Sequence, residues 1–258
     1  MENIYAQLKK HQFLFEELVK RDFKQKYKRT VLGMFWSILY PLLILLIMDI
    51  IFSNFFGRSI PHYPIFLFCG NTVFHYFNEA TNGGMNSLLS NASVFTKINM
   101  PKYLFLLSKN VSAFINFILT LIIFFVFVII EGIPIRAHFI VLLFPVIMLL
   151  LFNIGVGLIL SALYVFFRDM KYHYNVFTRL LMYLSAIFYS VEMLPAFYQQ
   201  FFYLNPVYCY IKYFRVVVLE GHVPSVEFHG LCLFYALVFL FLGGLIYRRC
   251  DHKFLYYL

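Results

Sequence analysis

Residues 28–56 read KRTVLGMFWSILYPLLILLIMDIIFSNFF: two cations, then the chain's only Trp at position 36, then an apolar run with one proline inside it. Sixteen residues separate Pro41 from Phe56 inclusive, about 24 Å of helix, too short for a hydrocarbon core of roughly 30 Å. A first span must therefore begin near Val31 and hold Pro41 as a kink. Ser37 or a neighbouring helix can satisfy the carbonyl that the proline frees.

The rest of the chain extends this reading. Of 258 residues, 62% are hydrophobic and 13% charged, against about a quarter charged in globular domains. Mean hydropathy is +0.78. The composition is that of an all-α integral membrane protein. Further apolar runs at 63–89, 106–130, 137–166, 174–193 and 228–247 bring the number of expected spans to six. The whole chain, 1–258, reads as a single transmembrane domain. An N-terminal part (1–30) precedes five spans within 31–193, and the sixth span follows a separate apolar segment at 195–224.

Net charge is +9. In a soluble chain such a charge suggests nucleic acid. Here its distribution points instead to membrane topology, with no nucleic-acid partner. Eight Lys or Arg lie in 1–30, three in 90–110, three in 167–180 and three in the tail, leaving only Arg58, Arg136, Lys212 and Arg215 on the other side. That asymmetry predicts a multi-pass chain with both termini cytoplasmic. The N-terminus lacks the short apolar core and cleavage site of a removable signal, so the mature chain is expected to begin at Met1.

Three segments are not simple spans. Residues 8–27 repeat Phe15, Val19, Phe23 and Tyr27 on one row, with Glu16–Lys20 and Glu17–Arg21 at pairing distance, which predicts an amphipathic interface helix. Residues 93–104, SVFTKINMPKYL, form a short cytoplasmic connection that is too apolar for solvent alone. Residues 195–224 are too apolar for a free loop, and Asn205-Pro206 argues against one helix. Two short re-entrant helices in the outer leaflet are expected.

Polar residues at membrane depth supply the candidate site. Asn71, His75, Asn78 and Asn82 recur every three or four residues on one helix face. They read either as a helix interface held by amides or as the wall of a wet cavity. Tyr40, Tyr183 and Tyr189 lie on spans where aromatic faces can pack against sugar rings. Asp49 and Glu79 are too few to suggest ion coupling, so the energy must come from another subunit. The four cysteines show no metal spacing, and GxxxxGK[ST], GxSxG and HExxH are all absent. No catalytic residue, metal site or cofactor is expected in this chain.

The order of these segments resembles the membrane permease of ABC exporters for polysaccharides, the group that exports lipopolysaccharide O-antigen, teichoic acid and capsular chains. The most specific matches are Lys28-Arg29-Thr30-Val31-Leu32-Gly33-Met34-Phe35-Trp36 through Pro41, Phe166 to Asp169 (FFRD) and Leu204 to Pro206 (LNP). The resemblance implies a homodimer in the bacterial cytoplasmic (inner) membrane, with two ABC ATPase subunits that bind the ATP and Mg. The cargo it implies is an undecaprenyl-diphosphate-linked glycan. Residues 93–104 would be the ATPase coupling helix, with Phe95, Lys97, Met100 and Lys102, and Asn205, Pro206, Lys212 and Arg215 would belong to the outer gate. Lys28 and Arg29 are the candidates for the diphosphate head group; the other reading of that basic run is topology and attraction to membrane lipid. Two alternatives stay open: a permease of this fold for a small lipid or drug, and a membrane enzyme acting on polyprenyl-linked sugars.

Overall fold

The computed structural model describes residues 4–27, 35–56, 60–95 and 101–257, and every regular element within them is helical. The N-terminal helix α1 (Ile4–Tyr27) is followed by α2 (Trp36–Phe56), α3 (Tyr63–Ser90) and the single turn α4 (Ala92–Phe95). Next come α5 (Tyr103–Ile130) and, after a 3₁₀ segment (Ala137–Leu142), α6 (Leu143–Phe166). The last part contains α7 (Met170–Leu184), α8 (Ala196–Phe202), α9 (Pro206–Arg215), α10 (Val226–Cys250) and α11 (Phe254–Tyr257).

Three helical stretches among the described residues are long and apolar enough to cross a membrane: Tyr103–Ile130, Ala137–Phe166 and Val226–Lys253. Exposed isoleucines and valines line α5 (Ile115, Ile118, Ile122, Val126), and α10 carries Phe234, Leu237, Phe241 and Leu245. Apolar faces of this extent suit lipid rather than water. Helix α2 contains Pro41, as expected, and its 21 residues span about 32 Å from Trp36 onward. The expected start near Val31 lies outside the described residues.

Helix α3 is the centre of the bundle and packs against α2, α5, α6 and α9. Its contact with α6 is made backbone to backbone, since a Cβ on Gly84 would lie 3.0 Å from the Gly157 Cα. The α6–α10 contact is closer still: a Cβ on Gly243 would fall 2.4 Å from the Gly155 carbonyl oxygen. Small residues at these points let helix backbones approach in an apolar solvent, where burial of apolar surface adds no drive.

Two expectations change here. The run 174–193 is not one helix, because α7 has only 15 residues, about 22 Å, and the chain turns at Ser185 and Ala186, the latter with φ 50°. In α1, Lys20 pairs with Glu17 at 2.8 Å and Arg21 with Asp22 at 2.8 Å, instead of the expected Glu16–Lys20 and Glu17–Arg21. The hydrogen bond and the charge of Lys20 hold Glu17 below the ordinary carboxylate range. Leu14, Phe15 and Leu18 of α1 pack on Leu104, Phe105 and Leu107 of α5, which puts Asp22 into the protein rather than on its surface.

Candidate functional site

The polar row of α3 meets α2, α5 and α7 around a cavity of 210 Å³. Asn71, His75 and Asn78 line it together with Met48, Thr120 and Met182. The Asn71 amide donates to the Met48 sulfur at 3.1 Å. Glu79 accepts from the Asn116 amide at 2.7 Å and stands 3.8 Å from the His75 ring. Three of the four polar positions predicted on this face thus share one cavity.

Asn82 is not part of its lining. Its amide donates to the Asn78 carbonyl at 3.0 Å and to the Asn78 side-chain oxygen at 2.6 Å, and Asn86 in turn donates to the Asn82 carbonyl at 2.7 Å. This back-bonding satisfies polar groups within the helix itself. Tyr183 is exposed on α7, and the Tyr189 hydroxyl donates to its carbonyl at 3.0 Å, so the pair stands at the end of α7 and outside the lining of this cavity. Tyr40 lies on α2, with its side chain outside the described residues.

A second cluster occupies the joint between α7 and α9. Asn205 caps α9, its side-chain oxygen accepting from the backbone N–H groups of Val207 at 3.0 Å and Tyr208 at 3.4 Å. The same side chain donates to the Leu184 carbonyl at 3.2 Å and the Ser185 hydroxyl at 3.0 Å, which ties the start of α9 to the end of α7. Pro206 takes the first helical position, where the missing N–H costs nothing. Lys212 donates to the Tyr203 hydroxyl at 2.7 Å and lies 4.0 Å from Glu192.

Arg215, at the last turn of α9, is buried. Its guanidinium stacks over the Phe66 ring at 3.4 Å from the centroid. It donates to the carbonyls of Ala186 at 2.9 Å, Ile187 at 3.0 Å and Phe66 at 3.4 Å. Gly70 leaves room for it, since a Cβ there would lie 3.2 Å from an Arg215 nitrogen. No carboxylate takes part in these contacts; the cation is held by backbone dipoles and an aromatic face.

At the other end of α3 a buried carboxylate is held by charged groups. Asp22 accepts from Arg21 at 2.8 Å, from Lys109 at 2.9 Å and from the Ser108 hydroxyl at 3.0 Å. Arg21 also donates to Asn91, the C-terminal cap of α3, at 2.7 Å. Sequence reasoning missed this tie, because a charge on an amphipathic interface helix reads as solvated. The available signal was the row Leu14–Leu18–Asp22, which continues an apolar face at helical spacing.

Among the residues expected to contact an ATPase, Lys97 and Met100 lie outside the described residues, as does the Phe95 side chain. Lys28 and Arg29 also lie outside them. Lys102 is described and faces the protein: it donates to the Asp251 carbonyl at 2.8 Å and carboxylate at 3.0 Å, with the Phe254 ring 5.8 Å away. It ties the start of α5 to the C-terminal tail.

A helical bundle with apolar outer faces and a polar interior row has the make-up of a membrane protein, and the chain belongs to the ABC-2 type transporter membrane family, whose model matches residues 14–219. Its relatives include the O-antigen export system permease protein RfbA of Klebsiella pneumoniae, 27% identical over 247 residues, covering 94% of this chain and 95% of that protein. The RfbA permease of Myxococcus xanthus is 26% identical, covering 88% of each. The polysialic acid transport protein KpsM of Escherichia coli is 24% identical, with 93% and 94% covered.

Proposed function

We propose that this chain is the membrane subunit of an ATP-driven exporter that moves a lipid-linked polysaccharide, O-antigen in the leading reading, out of the cytoplasm across the inner membrane. The observation that carries it is the match over nearly the full length of both chains to O-antigen export permeases, the Klebsiella protein among them. In this reading two copies, each with six crossings of which α7 and the turn after it together make the fifth, and with both termini inside, pair with two ABC ATPases that bind ATP and Mg. The charge asymmetry of the sequence supports that orientation.

Each cluster then has a role. Lys28 and Arg29 meet the undecaprenyl diphosphate at the inner mouth. Asn71, His75 and Asn78 offer amide and imidazole groups that exchange hydrogen bonds with passing sugar hydroxyls, joined by Asn82, Tyr40, Tyr183 and Tyr189 along the path. Phe95, Lys97 and Met100 meet the ATPase, and Lys102 passes the movement of residues 93–104 to the C-terminal tail through Asp251. The helices of 195–224 close the outer end, α9 being fixed by Asn205, Pro206, Lys212 and Arg215.

The related polysialic acid transporter supports a second reading, in which the cargo is a capsular glycan. The lipid-linked glycan that copurifies with the permease and its ATPase decides between the two. Cells lacking the chain should accumulate that glycan internally and lose it from the surface. Normal surface glycan in such cells would overturn both.

A further inference from the structure

A groove of 450 Å³ borders the Lys102–Asp251 tie, and the rest of its wall takes part in none of these roles. It opens where the start of α5, the second half of α6 and the end of α10 meet. Leu107, Ile154 and Leu158 give it an apolar floor, and Gly244 forms part of one wall. The two neighbouring glycines of α10 differ in purpose. Gly243 is required by the backbone of α6, whereas a Cβ on Gly244 would meet nothing within 4 Å. The missing side chain at 244 leaves the groove open without serving a helix contact.

Its mouth is cationic. Lys102 and Asp251 neutralise each other at 3.0 Å. Arg248 and His252, both exposed, remain at the rim, and no ion pair joins Arg248 to another described residue. An apolar channel under a cationic rim, beside an exposed row of Phe241 and Leu245 on the same helix, has the layout of one lipid molecule. Basic pockets between spanning helices on the cytoplasmic side are where anionic headgroups bind.

We infer that this groove holds an anionic phospholipid of the inner leaflet, with its phosphate on Arg248 and His252 and an acyl chain lying over Leu107, Ile154 and Leu158 beside Gly244. The occupant is a resident lipid, distinct from any exported cargo, and the inference does not depend on which glycan is moved. Because Lys102 lies at the same mouth, the lipid sits against the segment that joins residues 93–104 to the tail.

The full-length chain, purified in nanodiscs containing equal phosphatidylglycerol and phosphatidylcholine and released for native mass spectrometry, should retain phosphatidylglycerol in about fivefold preference, the factor expected of one basic side chain near a membrane surface. Arg248→Gln should abolish the preference. Gly244→Leu, whose Cβ would meet nothing within 4 Å and whose side chain would occupy the groove, should reduce retention of both lipids. Arg249→Gln, one residue away and outside the lining, should leave both unchanged, with unfolding temperature confirming that all variants are folded. Wild-type retention in both Arg248→Gln and Gly244→Leu would overturn the assignment. So would displacement of the lipid by soluble glycerol phosphate, which carries the anion without the chain.

Discussion

Asp22 and Arg215 are both buried charges, tied to opposite ends of α3, and the chain accommodates them by different means. Asp22 is surrounded by side chains that carry charge, and those side chains reach solvent: Arg21 is 40% exposed and Lys109 23%. Arg215 is surrounded by carbonyls of a turn and of α3, which do not. An ion pair whose members can rehydrate is a reversible fastening. A cation caged by backbone is part of the fold, because its partners have nowhere else to donate or accept once it is gone.

The comparison ranks the variants. Arg215→Met strands the carbonyls of Ala186 and Ile187 and should cost about 3 kcal/mol, read as the largest drop in unfolding temperature of the purified protein. Arg215→Lys should recover only part of it, since an ammonium lacks the planar fork that reaches several carbonyls together. A loss below about 1 kcal/mol for Arg215→Met would break the contrast, because it would mean that water reaches the turn.

Asp22→Ala comes next, at about 1–2 kcal/mol, below the usual cost of breaking a buried pair because both cations can turn outward. Combining it with Lys109→Ala should cost less than the two singles added, with a coupling of about 1 kcal/mol. Strict additivity in that cycle would remove Lys109 from the tie. No such cycle exists for Arg215, whose hydrogen-bond partners are main chain. The smallest effect should come from Lys20→Ala. This breaks the solvent-exposed pair with Glu17 and should leave the unfolding temperature unchanged, which sets the baseline for the other two.

The pattern of apolar runs made the helical membrane fold legible, together with the placement of Pro41 inside α2 and the row Asn71–His75–Asn78. Periodicity carries that information because a helix face is a local property of the chain. The ties between distant segments were not legible. Lys102 and Asp251 are 149 residues apart, and no local rule connects them. The turn at Ser185–Ala186 was hidden for a related reason: residues 181–189, LMYLSAIFY, contain no Gly or Pro, and the break is held by Asn205 and Arg215 from another helix. Charge counting assigns Arg215 to the outer side and the resemblance assigns it to the outer gate, but neither signals that it is buried. Its cage is made of backbone, which carries no residue signature.

Helix α9 sets a mechanical condition that follows from its burial. Val207, Tyr208, Cys209, Tyr210, Ile211, Tyr213, Phe214 and Arg215 are all buried, so the helix has almost no free face. A segment buried along nearly its whole length cannot swing open like a flap on a hinge. Any widening at that end must carry α9 together with the first turns of α3 and the α7 turn as one rigid wedge. The compliance has to be found in the seams where that wedge meets its neighbours. A disulfide placed across one of those seams should therefore block movement, while one placed within the wedge should leave it free.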